Sequence, residues 1–210
     1  MRKPIVALIA AVVVLALVGA GALVAWRLNA PAARLATATV GAERLTLARA
    51  YLRRSAAGAT EFVAFFPDFT PAGDFAGLAA TTDLDERFAR LVFIGLKPAD
   101  PALDPDERTA RLYQRFLDEN SWSHPGGLVA RAFIDGSPFE GDELFYVEPE
   151  GREFAARCRR PDPARQTPNT CIADFRLGDL DVELRFAASL LSQWSALKEG
   201  ARGLIEAAKR

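Results

Sequence analysis

Residues 5–25, IVALIAAVVVLALVGAGALVA, form an unbroken apolar run of twenty-one residues directly after Arg2 and Lys3. As a helix this run is about 31 Å long, which matches the ~30 Å hydrocarbon core of a bilayer. Beyond residue 40 the apolar positions fall into short segments of period two. Segment 180–186, LDVELRF, sets Leu180, Val182, Leu184 and Phe186 against Asp181, Glu183 and Arg185, the alternation of a half-buried strand. Segments 153–158 and 171–177 alternate likewise, with Phe154, Ala156 and Cys158 on one face and Cys171, Ala173, Phe175 and Leu177 on the other segment's. Gly178-Asp179 is a tight connection, so these three segments predict an antiparallel meander.

Further strands are predicted upstream. Segments 44–53 and 60–66 pair around Ala57-Gly58, and 128–134 and 143–148 flank a turn at Asp135-Gly136. Segment 91–96, LVFIGL, is apolar on both faces and belongs at the centre of the sheet. Two stretches have helical spacing instead. Asp104, Pro105 and Glu107 are an N-cap, a first-position proline and a first-turn acid, opening a helix to about 118 with Leu112, the Arg115 stem and Phe116 inward. The second helix, 188–209, is capped by Ser189 and carries Leu190, Leu191, Trp194, Leu197, Ala201, Leu204, Ile205 and Ala208 at spacings of three and four. Gly200 and Gly203 weaken it by about 1 kcal/mol each. The pattern predicts an α+β fold: an N-terminal transmembrane helix, then one antiparallel sheet with helices on one face.

The domain boundaries follow: a signal anchor over 1–26, an Ala-rich linker over 27–40, and an extracytoplasmic domain over 41–210. Arg2 and Lys3 before the span, and Trp26-Arg27 after it, put the N-terminus in the cytoplasm and the domain outside the inner membrane. The competing reading is a secretory signal cleaved after Ala22, against which the run is longer than the usual 7–15-residue apolar region. Fourteen Phe and three Trp are enough for the core of one domain. The charges, 26 basic against 27 acidic, lack the basic excess of a nucleic-acid binder.

Export bears on the cysteines. Cys158 and Cys171 bracket a mostly polar stretch of twelve residues that holds three of the thirteen prolines. Each ends an alternating segment, so a hairpin brings them together at its neck. A disulfide there is worth about 3 kcal/mol on the chain-entropy model. Arg157, Arg159, Arg160 and Arg165 gather around this hairpin, with Asp162 within it. They are candidates for contact with anionic lipid or with a partner's acidic face, at about 1 kcal/mol per cation near a membrane surface; the alternative is a solvated loop tip.

His124, in Trp122-Ser123-His124-Pro125-Gly126-Gly127, is the one histidine, so any His-dependent hydrolase chemistry must use it. Asp100, Asp104, Asp106 and Glu107 cluster without the spacing of a calcium loop, and capping accounts for the last three. Phe65-Phe66-Pro67-Asp68-Phe69 reads as a core edge. No metal or cofactor is expected from the remaining motifs. The leading function is an accessory or interaction protein of the envelope. The alternatives are a small-molecule or lipid-binding domain using a groove between sheet and C-terminal helix, and a hydrolase built on His124.

Phe66-Pro67-Asp68, His124-Pro125-Gly126-Gly127-Leu128, Phe154 to Cys158, and Leu180 to Phe186 followed by Leu191, Trp194 and Leu197 together resemble a family of single-span bacterial membrane proteins with an extracytoplasmic domain. That family carries no known activity, so the resemblance implies a topology and assigns no functional residue.

Overall fold

The computed structural model describes residues 19, 34–56, 58–73, 84–161 and 169–209. Apart from residue 19, the predicted span lies outside them, as do residues 27–33 of the linker. Among the described residues, no helix is long and apolar enough to cross a membrane.

Among the described residues, twelve strands and two α-helices build the domain. The main sheet contains β3 (Leu52–Ala56), β4 (Ala59–Phe65), β5 (Thr70–Pro71), β6 (Leu91–Pro98), β7 (Trp122–His124), β8 (Leu128–Ala132), β9 (Asp142–Tyr146), β10 (Ala155–Arg159), β11 (Thr170–Leu177) and β12 (Leu180–Ala187). Its order is β3-β4-β6-β12-β11-β10-β9-β8-β7, with β5 also on β4, and the neighbours are antiparallel. The meander expected from 153–186 is β10-β11-β12, and β6 is central as its two apolar faces require. Val92, Ile94 and Leu96 enter the main core, whereas Leu91 and Phe93 pack with Val63 on the opposite face.

The long C-terminal helix α2 (Trp194–Ala208) covers the main core through Leu197, Ala201, Ile205 and Ala208. It starts later than expected, after a 3-10 stretch Ala188–Gln193, and no side chain caps either one, Ser189 included. Leu190 and Leu191 are buried in that stretch, so packing on the sheet takes the place of a cap.

The domain also starts earlier than 41. Leu35–Val40, read as linker, is β1, and it pairs along its length with β2 (Glu43–Ala48) in a separate hairpin. Val40, Leu45 and Leu47 drive this, because they complete the main core beside α2. Segment 44–53 is therefore two elements rather than one strand. A 3-10 turn, Arg49–Tyr51, intervenes, and β3 then pairs with β4 around the predicted turn at 57–58.

Segment 104–118 is irregular. Asp104 does cap it, accepting from the Asp106 amide at 3.0 Å, but the turns that follow are 3-10, then π, then 3-10. Arg115 is exposed. Packing overrides local propensity here: Tyr113 sets its ring edge-on to Phe133 at 5.7 Å and Phe139 at 5.1 Å. These rings join Leu117, Leu144 and Tyr146 in a second core on the face opposite α2. Helical elements thus cover both faces of the sheet, not one. A short helix α1 (Leu84–Ala89) leads into β6.

Candidate functional site

Alternation decides what the face away from α2 carries. The residues facing out from β12 are Asp181, Glu183 and Arg185; register sets Asp174 against Glu183 and Arg176 against Asp181 on β11, and Gly95 and Lys97 against Glu183 and Asp181 on β6. Glu61 on β4 lies opposite Gly95. The middle of this face is therefore a ladder of charge.

The ladder is tied together. Arg185 pairs with Glu61, and Arg53 holds the other oxygen of that carboxylate at 3.0 Å. Both guanidiniums stand over the Phe93 ring, Arg53 at 4.8 Å and Arg185 at 5.7 Å, a geometry that adds cation–π attraction to the ion pairs. Asp181 is only 1% exposed. It accepts from Arg176 Nε at 2.6 Å and from the Asp100 amide at 3.0 Å, which meets the requirement that a buried carboxylate be paired. Beside the ladder an open recess of about 300 Å³ is lined by the charged Arg54, Lys97, Glu61 and Glu183 and by the small Ala59 and Gly95.

At the other side of this face Arg108 donates to Asp174 at 2.5 Å. Burial pushes the Asp174 carboxyl above its ordinary value, against the lowering effect of Arg108 and Lys97, and Glu183 adds to the rise. Tyr113, close by, is also raised, chiefly by burial.

Cys158 and Cys171 are a directly opposed cross-strand pair and are disulfide-bonded. The arginines around them are engaged within the domain. Arg157 pairs with Asp142, and Arg159 reaches the same carboxylate at 3.1 Å. Arg160 lies 3.9 Å from Glu143 and donates to the Phe133 carbonyl. Arg165 lies outside the described residues. Asp142 is thus the anchor of this cluster, and its place at the start of an alternating strand was its only sequence signal.

His124 meets the Pro125 carbonyl at 2.8 Å through Nδ1 and the Phe145 ring at 5.0 Å. The carboxylate and hydroxyl that a hydrolase would require are not among those contacts. The groove expected between sheet and α2 is filled by buried Leu197, Ala201 and Ile205, with Phe69 wedged against Gly200. Of the acidic cluster, Asp100 accepts from the Ala102 amide at 2.9 Å and Asp104 lies 3.7 Å from Arg176. Among the described residues no group of acids, His and Cys is arranged to hold a metal ion. The charge ladder escaped the sequence reading because its members come from strands far apart in the chain. The signal was the charge at the outward positions Asp174, Arg176, Asp181, Glu183 and Arg185.

Comparison with family models and with curated proteins returns no match. Among solved structures, the chain resembles an immunity protein of the Stenotrophomonas maltophilia type IV secretion system. The TM-score is 0.59 at 14% identity, over 84% of this chain and 93% of that one. It also overlaps an iron-regulated outer membrane lipoprotein of Neisseria meningitidis, with a TM-score of 0.49 at 10% identity over 85% and 94%. At 14% identity the first likeness establishes a shared fold along nearly the whole length of both chains.

Proposed function

We propose that this chain is a membrane-anchored extracytoplasmic domain that acts by binding a protein partner, an accessory role of the immunity-protein type. The observation that carries this reading is the near-complete structural overlap with the immunity protein. The anchor rests on the apolar run at 5–25 and its flanking cations, and the disulfide suits an oxidising compartment.

The outer face of the sheet is the surface we assign to the partner. Its ion pairs and guanidinium–ring contacts hold charged side chains in fixed positions, so little side-chain freedom is lost on binding. Fixed charges of both signs give specificity by complementarity. Arg54 and Lys97, exposed in the lining of the recess, can be reversed without touching the core.

The test is affinity purification of the tagged full chain from native membranes, with partners quantified by mass spectrometry. A stoichiometric protein should accompany the wild type and be depleted with Arg54→Glu plus Lys97→Glu. Equal recovery with the double variant would move the interface elsewhere. Absence of any enriched protein with the wild type would remove the binding role.

A further inference from the structure

The chain between the apolar run and the domain is short. Residues 26–33 separate them, and eight residues fully extended reach at most about 30 Å. Where the domain receives this tether therefore fixes which of its ends stays near the bilayer.

Arg34 enters at a definite end. β1 runs from Leu35 to a turn whose Gly41 packs beside Pro98, the last residue of β6. Leu35 thus lies toward the end where β6 begins, and α1 leads into that same end. Register adds the disulfide: Cys158 lies opposite Cys171 and Cys171 opposite Phe186, while Arg185 lies opposite Phe93. Arg159 and Arg160 follow at the same level.

Four large apolar side chains stand exposed among the described residues, and three lie toward this end: Leu35 at 73%, Phe88 at 44% and, just past the Ala132–Glu143 pair on the β8 side, Ile134 at 43%. Leu35 and Phe88 differ from Ile134 in their neighbours. Each directly follows an arginine, Arg34 and Arg87. Arg87 also covers the Phe65 ring at 5.6 Å, and Arg90 donates to the Phe66 carbonyl at 2.7 Å. Asp85 and Glu86 begin α1, on the turn before this pair. An exposed apolar side chain beside a long cation is the pattern of an interfacial contact, with the ring or methyls in the acyl boundary and the guanidinium at the phosphates.

We propose that this end of the domain is a membrane-contact surface: Leu35 and Phe88 enter the interface, and Arg34 and Arg87 bind anionic headgroups. The short tether holds the surface at a high effective concentration of lipid. The opposite end then points away from the membrane. It carries the turns at 41–42 and 178–179 and the recess with Arg54 and Lys97, which is open to a partner. The proposal rests on the anchored reading above.

The test uses the full chain in lipid nanodiscs, with p-benzoylphenylalanine placed at position 35, 88 or, as the far-end control, 101. Illumination should give lipid adducts at 35 and 88 in phosphatidylglycerol discs, well above the yield at 101. Arg34→Gln should lower the adduct at 88, and Arg87→Gln that at 35, by about fivefold each, the equivalent of one surface cation. Failure of the chain to enter discs would overturn the anchor and this proposal together. A chain that enters discs but labels no better at 35 and 88 than at 101 would overturn the contact surface alone. Yields as high in phosphatidylcholine discs would overturn recognition of anionic lipid, and protein adducts at 35 or 88 would assign the surface to another chain.

Discussion

Trp194 donates its indole Nε1–H to the carbonyl of Gly126 at 2.9 Å, joining the first residue of α2 to the turn between β7 and β8. Its ring stacks on Phe154 at 5.0 Å. Gly126 has φ +89°, and a Cβ there would come within 2.8 Å of the Ser192 carbonyl. The turn can therefore lie against the start of the helix only with glycine at this position.

This contact predicts a graded response. Trp194 is half-buried, so Trp194→Ala should cost about 2–3 kcal/mol, below the range for a fully buried aromatic. Trp194→Phe keeps the stack and should lose about 1 kcal/mol for the missing hydrogen bond. Urea denaturation gives both values; an unchanged midpoint for Trp194→Ala would mean that the helix is not docked there.

The two glycines of α2 should respond with opposite signs. Replacing helical Gly by Ala ordinarily gains about 0.5–1 kcal/mol. Gly203 has no atom within 4 Å of an added Cβ, whereas at Gly200 that atom would fall 2.0 Å from Phe69 Cε2. Phe69 has little room to retreat, being buried and edge-on to Phe66 at 6.1 Å. Gly203→Ala should therefore raise the melting temperature, and Gly200→Ala should lower it by the equivalent of about 1–3 kcal/mol. Two increases would show that Phe69 does not fill the groove.

The disulfide is testable by thiol counting. Cys158 and Cys171 are the chain's two cysteines, so unreduced native protein should take up no alkylating label, and reduced, denatured protein should take up two. Replacing both by alanine should cost about 3 kcal/mol, since the bond closes a loop of sequence separation 13. Free thiols in the native protein would refute the pairing.

Asp174 sets a pH dependence. Its carboxyl titrates above the ordinary 3.8 when folded, so over that interval the folded chain holds a proton that the unfolded chain has released. Stability from this group is greatest below 3.8, falls as pH rises through the native value, and is level above it. Asp174→Asn cannot titrate. Wild type should thus lose stability relative to this variant as pH is raised across that interval in a series of denaturation curves. A gain would mean that Arg108 outweighs the burial.

How much of this was legible in the chain depends on where the information lay. Period-two alternation over 180–186 and 171–177 fixed the faces of β11 and β12, and with them the disulfide, because strand pleating makes side-chain direction a local property. The doubly apolar 91–96 marked the central strand, and the spacing from Leu197 to Ala208 marked α2. Tertiary structure decided the rest. Leu35–Val40 looks like linker until Val40 meets the main core. Segment 104–118 carries a helix start signal, yet its course follows the rings of Phe133 and Phe139. Asp142, Glu61 and Asp174 look like ordinary solvated acids until Arg157, Arg185 and Arg108 reach them from other elements of the fold. Local periodicity is written in neighbouring residues. Ion pairs and second cores depend on register between segments up to 124 positions apart, and that register exists only once the sheet has formed.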